Sequence, residues 1–168
     1  YEGSHFWIEP LFVRSEDILI QTKYFQSFIE NRNMFLTQTL VNKSLGFMGG
    51  MIHFAENASI AQTDINQAKA LLAKRKAASH AVRVGNMISE MLDTSNLRVY
   101  RHEEKKRLLG IKTGTISLEE ACEESRTLIK EIEYKKSTIS LPEFIDKAAL
   151  DDMILQSTIQ YWKDKQWI

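Results

Sequence analysis

The stretch Lys74-Arg-Lys-Ala-Ala-Ser-His-Ala-Val-Arg-Val-Gly-Asn-Met-Ile-Ser-Glu-Met91 decides the class of fold. Ala81, Val84, Ile88 and Met91 recur at steps of three and four, which puts them on one stripe of a helix. Lys76, His80 and Arg83 stand at i, i+4 and i+7 and project together as a row, which Lys69 extends by two turns. A segment apolar on one side and basic on another reads as an amphipathic helix, capped by Thr63 or Asp64 and running over residues 64–93. The same periodicity organises most of the chain. Tyr24-Phe25, Phe28-Ile29 and Phe35 keep helical spacing, and a helix is expected over residues 37–58 with Leu40, Phe47, Met51 and Phe54. Within it, Gly46, Gly49 and Gly50 suggest a close backbone approach or a kink. A short helix over residues 103–111 should close near Gly110, and the capping box Ser117-Leu-Glu-Glu120 opens another that reaches about residue 136. After a break at Ser140-Leu-Pro-Glu143, a last helix starts near Asp146 with Leu150, Ile154 and Tyr161 on one face.

The N-terminal end reads differently. His5-Phe-Trp-Ile-Glu-Pro-Leu-Phe-Val13 is aromatic and β-branched and too short for a helix, so it is expected to be a strand, with Pro10 pushing it to a sheet edge or a bulge. A lone strand needs partners, from Ile18-Leu-Ile20, from Leu97-Arg-Val99, from another chain or from sequence outside this one. The expected fold is mainly α: a helical domain over residues 22–168, preceded over residues 1–21 by a small β element. Composition agrees with this. Two prolines and seven glycines in 168 residues argue against a turn-dense sandwich or barrel. Hydrophobic residues at 43% and charged residues at 26% are ordinary for a globular domain and exclude wholesale disorder.

Charge and cysteine content narrow the function. Twenty-two basic residues cancel 22 acidic ones, so the chain lacks the net positive field that indicates nucleic acid, although a local basic patch stays open. Cys122 is the single cysteine, which rules out an internal disulfide and a Cys-rich zinc site and favours a reducing, cytoplasmic setting. No window of about 18 apolar residues exists to span a membrane. The chain starts at Tyr1 rather than Met, so it is expected to be a piece of a longer protein or a chain with parts removed.

The basic row suits an anion with several phosphates, which Arg grips in bidentate fashion and Lys meets as a point charge; a solvated helix face is the other reading. Arg75-x4-His80 also matches the loose Arg-to-His spacing of the helical HEPN ribonuclease-like families, in which such a pair works on a ribose hydroxyl. Paired carboxylates for a two-metal site are absent in the usable form. Glu16 and Asp17 are adjacent and would point to opposite faces of a strand, Asp151-Asp152 falls on the last helix, and Glu119-Glu120 belongs to the capping box. No zinc motif, P-loop, nucleophile elbow or dinucleotide fingerprint occurs.

An ordered series of short pieces carries a resemblance. Gly3-Ser-His5, Ile8-Glu-Pro-Leu-Phe12, Lys76-x3-His80-x2-Arg83, Val99-x-Arg101 with Glu104 and Arg107-Leu-Leu109, Ile111-Lys-Thr-Gly114, Ser117-Leu-Glu-Glu120, and Ser140-Leu-Pro-Glu143 with Asp146 follow one another along nearly the whole chain. The series resembles a predicted nucleotidyltransferase family of the DNA polymerase β superfamily, of bacterial and phage type. The resemblance implies transfer of a nucleoside monophosphate from a nucleoside triphosphate to an acceptor, with Mg²⁺ ions polarising the phosphoryl group. It implies that the N-terminal β element completes a nucleotidyltransferase sheet, that Gly3 and Ser4 form the turn opening the active site, and that Glu9 is the third metal-binding carboxylate; read without the resemblance, Glu9 is an edge glutamate facing water. Lys76, His80 and Arg83 would contact phosphates, with Arg101 and Lys112 as further candidates.

Two positions depart from that pattern. The acid-x-acid element is absent, so this segment by itself is expected to be inactive; the element belongs in a stretch removed near His5, before Tyr1, or on another chain. Thr115 follows Gly114 where many relatives would carry an acid. The acceptor stays open between protein hydroxyl, tRNA end, nucleic acid and small molecule. The alternative function is a non-catalytic or HEPN-like helical module that pairs with a separate catalytic chain, for which Trp162 and Trp167 offer a surface.

Overall fold

A computed structural model describes residues 8–58 and 64–167. Those residues form a mainly helical fold with no strand among them. Four 3-10 turns and a short helix lead in: Glu9–Phe12, Ser15–Asp17, Lys23–Phe25, helix α1 (Gln26–Glu30) and Arg32–Phe35. The longer helices follow as α2 (Gln38–Asn57), α3 (Asp64–Thr94), α4 (Lys105–Thr113), α5 (Leu118–Thr138) and α6 (Lys147–Asp164). Among the described residues no helix is long and apolar enough to cross a membrane.

Local signals account for three of the helix starts. Thr37, Ser117 and Asp146 each accept a hydrogen bond from the backbone N–H three residues on, at 3.2, 3.0 and 3.1 Å. The remaining free donors at the start of α2 are met from far along the chain, since Gln38 N and Thr39 N donate to Pro142 O and Glu143 O. That pairing straps the break expected at Ser140-Leu-Pro-Glu143 across the N-terminal end of α2.

The stripe on α3 is buried as expected, with Ala81 and Ile88 fully inaccessible and Val84 and Met91 nearly so. It divides between two clusters. Val84, Met87, Ile88, Met91 and Leu92 pack with Leu40 and Met48 of α2, Ile132 of α5 and the N-terminal Ile8, Leu11 and Phe12. Ala77, Ala78, Ala81 and Val82 meet Ile52 and Ala55 of α2, Ile111 of α4, and Ala121 and Cys122 of α5. The alanine-rich half brings helix backbones close together, and the larger side chains fill the wider half. α6 stands apart. It has no buried residue and leans on α1 and the turn before it, through Tyr24 against Tyr161 and hydrogen-bonded to Asp164.

Several expectations shift on contact with the structure. The residues 1–7 that begin the expected β element lie outside the described residues, while Glu9–Phe12 of the same stretch form a 3-10 turn with Pro10 in its first turn, where a missing N–H costs nothing. Gly46, Gly49 and Gly50 make no close approach among the described residues: α2 runs unbroken through them, and a Cβ on any of the three would meet none of their atoms within 4 Å. The close approach is at Gly85 instead, where a Cβ would stand 2.7 Å from the Met48 methyl and 2.9 Å from Leu128 Cδ1. α4 does not close at Gly110. It continues to Thr113 and ends at Gly114, whose φ of 86° only glycine adopts without strain.

Candidate functional site

A flank of α3 about 90° around the axis from the buried stripe carries the basic row. Lys76 and His80 are exposed, and Arg83 is half-buried beside α4 and the segment that links α3 to it. Glu90 extends this row by two turns and reverses its sign. Its carboxylate receives Arg98 Nε at 3.0 Å and also Arg101, which is clamped from the other side by Glu104. The Arg101 side chain is only 6% exposed; burial lowers its pKa, but Glu104 and Glu90 outweigh burial and hold it above the ordinary value. This knot, with Leu97 fully buried, fixes the 97–104 segment against α3. Arg101 is thereby engaged by two carboxylates at the pocket wall.

With that segment in place, α4 presents its outer face to the row. Lys105, Leu108, Leu109 and Lys112 line a pocket together with Arg83, Arg101 and Tyr100. His80 is exposed at its edge but partly desolvated, and its pKa is lowered by that desolvation first and then by Lys112, Arg83 and Lys76. Four sequence candidates, Lys76, His80, Arg83 and Lys112, thus sit in one electrostatic neighbourhood. Among the described residues Arg83 alone of the four forms an ion pair, its Nη2 donating to Glu9 Oε1 at 2.9 Å with both side chains largely shielded from water. Lys76, Lys105 and Lys112 form no ion pair with any described residue.

Glu9 therefore comes to the site as the counterion of Arg83. Mg²⁺, implied by the resemblance, finds no donor set among the described residues: no three His, Cys, Asp or Glu side chains cluster there. Gly3 and Ser4 lie outside the described residues. Arg75 reaches the C-terminal end of α4, where it donates to Thr113 O at 3.4 Å and lies against Gly114. The Arg75–His80 spacing puts the two side chains on different faces of α3, about 140° apart around the axis.

The chain matches no family model, no curated protein and no solved structure.

Lys105 and Tyr100 are site residues that sequence reading passed over. For Lys105 a signal existed, because Lys105, Leu108, Leu109 and Lys112 share one helical face at i, i+3, i+4 and i+7. For Tyr100 none did, since an extended segment of four residues declares no face until Leu97 and Arg101 have been docked.

Proposed function

We propose that this chain is the helical, nucleotide-binding portion of a nucleotidyltransferase that transfers a nucleoside monophosphate from a nucleoside triphosphate to an acceptor. The phosphate chain lies along Lys76, His80 and Arg83, with Lys112 facing it from α4. The observation that supports the reading most is convergence: Glu9, the row on α3 and Lys112 are far apart in sequence, yet Glu9 pairs with Arg83, Arg83 and Lys112 line one pocket, and Lys112, Arg83 and Lys76 all act on His80. Arg83 supplies a fork that suits two phosphate oxygens, held in orientation by Glu9. Lys76 and Lys112 supply charge that no described carboxylate neutralises, which leaves it available to an anion.

Equilibrium binding of a labelled nucleoside triphosphate tests this. Lys76→Ala/Lys112→Ala is the informative variant, because Arg83→Ala would also strand the Glu9 carboxylate. Charge-assisted hydrogen bonds are worth about 1.5–3 kcal/mol, so the double variant should bind at least about tenfold more weakly. Unchanged affinity, or no binding by the parent chain, would refute the reading.

A further inference from the structure

The cationic row accounts for phosphates and leaves half of the pocket unexplained. The cavity beside Arg83 and Lys112 has a volume of about 480 Å³, far more than a phosphate group fills and within the range of roughly 300–1,000 Å³ common for organic ligands. Its wall is of two kinds. Arg83, Lys105 and Lys112 contribute charge, whereas Tyr100, His102 and Leu109 contribute aromatic and apolar surface. Tyr100 and Leu109 are 53% and 54% exposed, and neither belongs to the packed clusters of the core. The Tyr100 and His102 rings lie nearly parallel, 17° apart with centroids at 6.1 Å, and the Arg14 guanidinium sits 4.4 Å from the Tyr100 centroid. An aromatic wall already held by two neighbours loses little freedom when a third planar group joins it.

A purely inorganic anion would leave that wall in water, and an apolar ligand would leave Lys105 and Lys112 without counterions among the described residues. A planar aromatic group joined to a phosphate chain satisfies both sides. We infer that the pocket holds the base of a nucleotide, with the base against Tyr100, His102 and Leu109 and the phosphates directed to Arg83 and Lys112. This rests on the phosphate reading of the α3 row and adds the part of the ligand that the row does not touch.

Calorimetric titration of the full chain with ATP, GTP, CTP, UTP and inorganic tripolyphosphate separates the two. At least one nucleotide is expected to bind about tenfold or more tightly than tripolyphosphate, the size of a base–aromatic stacking contribution. Tyr100→Ala should abolish that advantage and leave tripolyphosphate binding unchanged, while Tyr100→Phe keeps both. Tyr100 is exposed, and melting curves of the variants will show that each is folded. If tripolyphosphate binds as well as every nucleotide, or if Tyr100→Ala retains the advantage, the base site is wrong and the phosphate row stands. If neither kind of ligand binds, both fail.

Discussion

His80 is the residue through which the site and the stability of the fold are linked. Its pKa is lowered from the ordinary 6.5 by partial desolvation and by three nearby cations, so the folded chain holds that proton more weakly than the unfolded chain does. The sign follows: the contribution to stability is fully present above about pH 6.5 and is lost as pH falls through that value and below it. The melting midpoint is therefore expected to drop between pH 7 and pH 5 by more in the parent chain than in His80→Gln. An identical pH dependence in the two would refute this. Sequence alone brought Lys76, His80 and Arg83 together, because helical spacing is a local property. It could not supply Lys112 as the facing charge, or Glu9 as the partner of Arg83, since both depend on where distant segments dock.

Glycines show the same division for whole elements. Gly114 ends α4 with a left-handed backbone and with the Arg75 guanidinium filling the space where a side chain would start, 2.3 Å from an added Cβ to Arg75 Cζ. Gly49 sits mid-helix in α2 with open space around it. Alanine should consequently act with opposite signs at the two positions. Gly114→Ala is expected to destabilise by about 1–2 kcal/mol and Gly49→Ala to stabilise by up to about 1 kcal/mol, read from urea unfolding midpoints at constant slope. Shifts of the same sign would contradict the packing described. Helix starts were readable from Thr37, Ser117 and Asp146 because a cap is chemistry over four residues. Which glycine faces a neighbour was not, because Gly46 and Gly85 look alike until α2, α3 and α5 have been packed together.

The molecule as a whole is a set of helices gathered on α3, with α6 at its margin. Since α6 buries no residue, its opening exposes little apolar surface and should cost far less than opening α3. Amide hydrogen exchange is expected to be fastest among the long helices in residues 147–164 and slowest in residues 77–92; comparable protection in both would overturn that ranking. The predominance of helix was legible from periodicity, whereas the weak attachment of α6 was not, because Leu150, Ile154 and Tyr161 form a stripe as regular as the one that α3 buries. The burial of α3 has one more consequence. Ala77, Ala78, Ala81, Val82 and Val84 are locked from behind, so the helix is rigid between Lys76 and Arg83. Those two cations lie seven residues apart, which is about 10 Å along the axis. They form a fixed gauge: a single phosphate reaches one mark only, and an anion must have the length of a chain to be measured by both.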